Sequence, residues 1–421
     1  MRLFDLQGFI LAALVSICGC SSSTTEDWSR WGGDRGDFTA SSTDLAESWE
    51  TSSPKVLWNR ELGEGYSAIV AVDGRLFTMF SRDGREFVVA IEAKTGDTVW
   101  NYGYDAPILE GMAMENGAGP HSTPCYHRGK PDRVYTVGVT GILHCLDARS
   151  GDRVWVRKCL EEFEGSVLGR GYSSNPIIYG DSILVPVGGG GHAVMAFRLD
   201  DGEVKWKSGD FGLSHSSPIL THYGGRDMLA VFAHQEFTGL DPGNGAILWR
   251  RPHHVPGAHI ASMPVSDGAG TIFYSTAYDG GSWALELSRA KEDSMPFQVT
   301  ERWFTKNLQI HHSNAIRIAD LVYGPSGSFG PKIFTCIDLA TGSVVWKDRG
   351  LTRCNSVRVG KDLLLTLDEE GVLALSRVSR AGLAVLGRKK LFEGRAWTPP
   401  TVLDKSVYVR NQSHIMAVEL P

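Results

Sequence analysis

Several common chemistries lack the residues they need in this 421-residue chain. No two of its seven cysteines are adjacent, none forms a Cys-x-x-Cys pair, and no His-Glu-x-x-His occurs. Neither a structural zinc site nor a zinc-protease site is therefore signalled. Positive charge is in short supply as well: 42 Lys and Arg stand against 48 Asp and Glu, a net charge of −6. The one basic run, Arg388 to Lys390, reads as a solvated strand end. This balance argues against nucleic acid or an anionic membrane surface as the main partner. Long apolar runs are absent too. Gly8 to Val15 is apolar but too short to cross a bilayer, which takes about 20 residues. The four glycines Gly188 to Gly191 lack the G-x-G-x-x-G spacing of a dinucleotide loop.

What the chain does have is a phrase that returns. An acidic residue is followed by a turn ending in Gly, then by Trp four residues on. The copies are Glu92, Gly96 and Trp100; Asp147, Gly151 and Trp155; Asp241, Gly245 and Trp249; Asp338, Gly342 and Trp346. A fifth keeps Gly202 and Trp206 but has Arg198 in the acidic slot. Self-similarity at a period of roughly 40–50 residues signals a repeat architecture. On either side of each turn lie β-rich apolar runs, such as Phe87 to Ile91 before the first. That is a hairpin signal. Two more strand-like stretches precede every hairpin, so one unit is a four-stranded antiparallel meander, a propeller blade.

Counting blades gives eight. The closing aromatics are Trp58, Trp100, Trp155, Trp206, Trp249, Trp303 and Trp346, with Phe392 expected in the eighth place. The Trp58 strand has no three strands before it, whereas the C-terminal unit, Ala396 to Leu420, has three strands and then stops. Joined, they make one blade. The expected fold is an all-β, eight-bladed propeller over residues 54–421, closed by an N-terminal strand that removes the open sheet edges. In the fifth blade a polar insertion, Arg289 to Thr300, interrupts the pattern.

The Asp-x-x-Thr-Gly-x-x-x-Trp phrase, the meander and the offset closure resemble the pyrroloquinoline-quinone-like propeller repeat family. That family includes quinoprotein alcohol dehydrogenases and the propeller lipoprotein of the outer-membrane β-barrel assembly machine. The resemblance implies that each Trp stacks on the next blade near its hairpin turn, a structural role. It offers two functional expectations. One is a non-catalytic scaffold for cell-envelope proteins; the alternative is an oxidoreductase holding pyrroloquinoline quinone with calcium. The family's dehydrogenases commonly have adjacent cysteines in a disulfide, which this chain lacks, and no calcium carboxylate or catalytic Asp motif can be placed. No cofactor is expected. A carbohydrate- or peptide-binding surface protein is a third reading.

The N-terminus reads as an address. Arg2 and the apolar Gly8 to Val15 lead to Ile17-Cys18-Gly19-Cys20 and three serines, which resembles a bacterial lipobox with Cys20 as the lipidated residue. The expectation is a signal peptide over residues 1–20, a flexible tether over 21–53 whose removal as far as residue 50 does little, and a monomeric, membrane-anchored propeller in the bacterial envelope, facing the periplasm or exterior. Of the remaining cysteines, Cys145 and Cys336 occupy matching strand positions and read as buried small hydrophobes. A Cys125–Cys145 bridge is conceivable.

Propeller ligands gather over the central channel, where the innermost strands begin. Those starts share Ser, Thr, Asn and His. The ring would turn His121, His215, His259, His311, His312, Arg353, Arg395 and Trp397 toward one axis. Two readings stand: a site for an anionic or peptide ligand, or small polar residues that suit a narrow hydrated channel. The second is favoured, because repeats impose such patterns without a ligand.

Overall fold

The computed structural model describes residues 27–40, 45, 48–113, 117, 119–166, 168–253, 260–278, 280–290, 295–327 and 332–421. Cys20, the expected signal peptide over residues 1–20 and His259 lie outside the described residues. Apart from one helical turn at Cys159–Glu162, the regular elements among the described residues are strands. They form eight antiparallel sheets, each a four-stranded meander, one of which gains a fifth strand. Numbered along the chain, blades one to eight begin at the inner strands Val70–Val72, Cys125–His127, Ile177–Tyr179, Ile219–Tyr223, Val265–Ser266, Ile316–Ile318, Cys354–Val359 and Thr401–Leu403. They end at the outer strands Thr98–Asp105, Arg153–Lys158, Val204–Phe211, Ile247–Pro252, Phe297–Thr305, Val344–Asp348, Gly382–Lys390 and Lys55–Glu61. The last of these is the N-terminal strand. Lys55–Glu61 pairs antiparallel with His414–Glu419, so the ring closes as the orphan strand required.

The repeated phrase has a physical reading at each position. The acidic residue organises the turn: Asp147 Oδ1 accepts from the amides of Arg149 and Ser150 at 3.0 and 3.1 Å, and Asp338 does the same for Ala340 and Thr341. These are Asx-turns. The Gly takes a left-handed conformation, φ +79° at Gly151 and +72° at Gly202. It also presents a bare Cα to the Trp of the preceding blade. A Cβ on Gly151 would stand 2.6 Å from the Trp100 ring, and one on Gly202 would stand 2.7 Å from Trp155. Gly96 meets Trp58, Gly245 meets Trp206, and Gly342 meets Trp303 in the same way. The indole N–H then donates across the seam, as Trp100 does to Ala148 O at 3.1 Å and Trp155 to Leu199 O at 2.9 Å. Trp249 breaks the series. Blade five turns through its insertion and offers no such Gly, and the Trp249 ring packs on Phe237 of its own blade.

Phe392 does not occupy the eighth aromatic place. It follows the outer strand of blade seven and packs near Gly371. The position that pairs like the repeat Trp is Gly387, opposite Leu375 beside the strand's bulge. Trp49, from the N-terminal segment, fills the gap. Its side chain covers Gly387, where a Cβ would stand 2.5 Å from Trp49 Cβ, and its amide donates to Leu386 O at 3.2 Å. The aromatic for this slot comes from the N-terminal segment and not from the blade's own strand.

The described part of the expected tether is likewise not a tether. Trp28 exchanges backbone hydrogen bonds with Ala71 on the inner strand of blade one, at 2.8 and 3.0 Å. Ser29 O accepts from Tyr126 N of blade two at 2.7 Å. Thr39–Ala40 runs parallel to Arg358–Val359 of blade seven and supplies that sheet's fifth strand. Residues 27–40 therefore enter the central channel as a plug. Trp28, Phe38, Ala40 and Trp49 are all buried. The Ser, Thr and Asp content of this stretch suggested solvent, but its few large aromatics decide where it goes.

A last seam residue is Arg410, fully buried between blades eight and one. Its guanidinium donates to Ser67 O, Met79 O and Gly65 O at 3.0, 2.7 and 2.9 Å, and to Thr78 Oγ1 at 3.1 Å. Burial pulls its pKa down to about 9. All five described cysteines are free and buried, so Cys125 and Cys145 form no bridge.

Candidate functional site

Each inner strand starts at one end of the channel, the funnel face, and finishes at the other, where the Gly hairpin turns lie. The funnel face holds a cavity of ≈ 220 Å³ lined by Tyr66, His121, Arg170, His215, Tyr278, His311, His312 and Trp397 among others, with Trp31 of the plug also in its wall. Trp31 lines a second, smaller cavity as well, next to Arg30, Arg35 and Gly36 of the same segment. The plug thus closes the funnel from below.

The shared polar residues at the strand starts do different work from the histidines. Asn175 Nδ2 donates to Ser217 Oγ at 2.7 Å and Ser216 Oγ to Ser262 O at 2.9 Å. Asn314 Nδ2 donates to Ser356 O at 2.7 Å, and Asn355 Nδ2 to Trp397 O at 2.8 Å. Thr123 Oγ1 accepts from Ala68 N at 3.1 Å. These bonds link neighbouring blades and, apart from Asn175–Ser217, satisfy backbone groups that the short inner strands leave over. The Ser, Thr and Asn pattern is a structural belt.

The aromatic and basic side chains lie above this belt. Tyr66 stacks between His121 and Trp397, with centroids 5.8 and 5.0 Å away. His312 lies 4.5 Å from Trp397 and 4.9 Å from His311. Arg395 covers the outer face of Trp397, Cζ to centroid 4.4 Å, a cation–π contact. His215 Nδ1 bonds Ser173 Oγ at 2.8 Å and His311 Nε2 bonds the Tyr278 hydroxyl at 2.6 Å. Arg353 pairs with Glu369 at 3.3 Å, and Lys332 pairs with the same carboxylate. Arg353 and Arg395 border the cavity rather than line it.

Burial drives His121 down to about 4. His312 is held well below the usual imidazole range, first by burial and then by the positive charge of His311, Arg353 and Arg395. Both rings are neutral at pH 7. The Tyr278 hydroxyl is raised by desolvation, while Arg170 and Arg353 act in the opposite direction. The funnel therefore combines neutral stacking rings with an arginine-rich rim. Trp31 Nε1, Trp397 Nε1 and both ring nitrogens of His312 are buried and make no hydrogen bond within the described protein. The two indole N–H groups and the single N–H of the neutral His312 ring favour a partner that brings acceptor oxygens, and the other His312 nitrogen favours a donor.

Of the residues that the repeat aligned, the fold brings His121, His215, His311, His312 and Trp397 into one cavity wall. Sequence reasoning missed Arg170, which sits on a blade-to-blade connection without a repeat position, and Trp31, which arrives from outside the repeats. It also missed Tyr66, although Tyr66 stands four residues before its inner strand just as His121, His215, His312 and Trp397 stand before theirs. The register of Tyr66-Ser67, matching His121-Ser122 and His215-Ser216, was the available signal.

A family model described as outer membrane protein assembly factor BamB matches residues 46–119 and 121–348. The outer membrane protein assembly factor BamB of Shewanella oneidensis is 22% identical over 426 residues, with 96% of each chain covered. Among solved structures, BamB from Moraxella catarrhalis superposes with a TM-score of 0.60 at 17% identity, covering 88% of this chain and 98% of that one. Quinohemoprotein alcohol dehydrogenase from Comamonas testosteroni superposes at 0.65 with 14% identity, covering 94% of this chain and 80% of that one. At such identities the two structural likenesses speak for the fold alone. The family match, by contrast, spans most of the sequence, and the chain belongs to the outer membrane protein assembly factor BamB family.

Proposed function

We propose that this protein is an exported, lipid-anchored and non-catalytic propeller that acts as a binding scaffold for proteins of the bacterial envelope during outer-membrane protein assembly. The observation that carries this reading is the family match over residues 46–119 and 121–348. It is supported by the near full-length likeness to the Shewanella oneidensis assembly factor. The shape of the molecule is consistent with binding by surface. Short inner strands and tight turns build a rigid ring, and the longest connections, 106–124, 159–176 and 253–264, each join an outer strand to the next blade's inner strand at the funnel face. Loops on a rigid scaffold are where recognition concentrates. In this reading residues 1–20 are the signal peptide and Cys20 carries the lipid.

The likeness to a quinone-dependent dehydrogenase raises the alternative of a quinone held with calcium. The residues do not fit that pair. Calcium takes six to eight oxygen ligands, largely carboxylates. Among the described residues no group of three or more His, Cys, Asp or Glu could hold a metal ion. Glu369, beside the funnel rim, is committed to Arg353 and Lys332. Adjacent cysteines are lacking. The funnel's basic rim and stacking rings are those of a recognition surface.

Affinity purification of the full-length protein from native, detergent-solubilised membranes tests the scaffold reading. The expected result is stoichiometric recovery of outer-membrane assembly proteins. Recovery of the propeller alone, with substrate-dependent dye reduction, would replace this reading with the enzyme. For the anchor, mass spectrometry of the mature N-terminus should find a lipid on Cys20, and Cys20→Ser should leave the membrane fraction or keep its leader. An unmodified N-terminus downstream of residue 20 would end the lipoprotein reading.

A further inference from the structure

We infer that the N-terminal plug fixes which face of the propeller meets the membrane: the hairpin-turn face toward the bilayer and the funnel face away from it. This rests on the lipid-anchored reading above, and it adds to it an orientation that the anchor by itself does not supply.

Chain length sets the orientation. With residues 21–53 as free chain, Cys20 would be linked to the ring at Lys55. Thirty-five residue steps reach about 120 Å at full extension, more than enough for the propeller to tumble. The structure removes most of that slack. The chain is held from Asp27, where the Asp27 carboxylate pairs with Arg128, which in turn pairs with Asp73 at 2.6 Å. Asp73 lies in the turn between Val70–Val72 and Arg75–Arg82, on the hairpin-turn face. From there the segment climbs to Trp31, returns along Arg358–Val359 and is clasped again at Leu386 and Gly387 by Trp49. Only seven steps remain between Cys20 and Asp27, a reach of about 25 Å when fully extended.

The exit also lies near the channel axis, because Trp28 and Ser29 bond inner strands of blades one and two. A short leash from the centre of one face holds that whole face toward the surface to which it is tied. Inversion would require the leash to pass around the outside of the ring, across half its width and its full depth. The hairpin-turn end of the channel therefore faces lipid. The open funnel, with its aromatic walls, arginine rim and long loops, faces the protein partners.

Energy transfer on vesicles tests this directly. A mature chain beginning at Cys20 can be coupled through that thiol to maleimide-bearing lipid, since the five described cysteines are buried. A donor dye is placed through an azide-bearing residue at Lys361 or at Glu370. Both are exposed in blade seven, at opposite ends of the strand Leu363–Asp368. With an acceptor dye on lipid headgroups, transfer from position 361 should exceed transfer from position 370 at least about twofold. Inserting thirty Gly and Ser residues between positions 26 and 27 leaves the plug intact and should bring the ratio toward one. Equal or reversed transfer with the native leash would overturn the inference, and so would a ratio that survives the insertion. The lipid is attached chemically, so this result is independent of whether cells lipidate Cys20, which the mass spectrum of the mature protein decides.

Discussion

Trp49→Ala separates the structure from the sequence reading most sharply. Read as part of a tether, residue 49 can be changed at no cost. In the structure it fills the aromatic slot that blade seven lacks, and it is 6% exposed. Truncating a buried Trp to Ala costs about 3–5 kcal/mol. The native contact is close: a Cβ on Gly387 would already collide with the Trp49 side chain, so the ring leaves a cavity that the rigid strand beneath cannot fill. With unfolding entropy near 2.1 cal/mol/K per residue, a propeller of about 390 residues has roughly 0.8 kcal/mol/K in total, which makes the expected drop in Tm about 4–6 °C. Differential scanning calorimetry of the mature protein measures it. A change within about 1 °C would refute the clasp and restore the tether. The slot itself can be refilled from within the blade. Gly387→Trp alone should clash with Trp49, and adding Trp49→Ala should recover stability by rebuilding the repeat within the blade.

Three further outcomes follow from particular side chains. Glu86 is buried, bonded to the Tyr104 hydroxyl at 2.7 Å and to Val139 N at 3.0 Å, and desolvation raises its pKa from 4.5 to about 7. Between those values the folded state holds a proton that the unfolded state has released. Stability must therefore fall as pH rises through that window, by about 3 kcal/mol if the shift is fully expressed. The nearby His144, lowered to about 3 by burial, stays neutral throughout. Glu86→Gln should match wild type near pH 4 and exceed it at pH 8 in urea midpoint; a variant weaker at pH 8 sinks this account. Arg410→Met leaves the Ser67, Met79 and Gly65 carbonyls without their buried donor, and should cost about 3–5 kcal/mol by loosening the seam, read as earlier proteolysis near the Lys55–Glu61 strand. Finally, pyrroloquinoline quinone with calcium should not raise Tm. A bound ligand at 100 times its Kd would add about 2.7 kcal/mol, so a clear upward shift would reopen the dehydrogenase reading.

The sequence alone determined the architecture, because a propeller is built from local units. The acid, Gly and Trp of each phrase act within one hairpin and its neighbour, so a fixed spacing reports blade, turn and seam together. The closure by Lys55–Glu61 was legible for the same reason: one strand was left over and one was missing. The histidines at strand starts could be aligned on the axis by register, and His121, His215, His311 and His312 do share the funnel wall. What only the tertiary structure decided lies outside that register. The plug pairs with blades one, two and seven through backbone bonds that no periodicity announces, and composition averaged over 21–53 hid Trp28, Phe38 and Trp49 among serines. Trp49 replaces a repeat aromatic from more than 330 residues away in the chain. Whether a strand-start Ser or Asn binds a ligand or a neighbouring blade depends on where its hydrogen bond goes, and that is settled only when the ring closes around it.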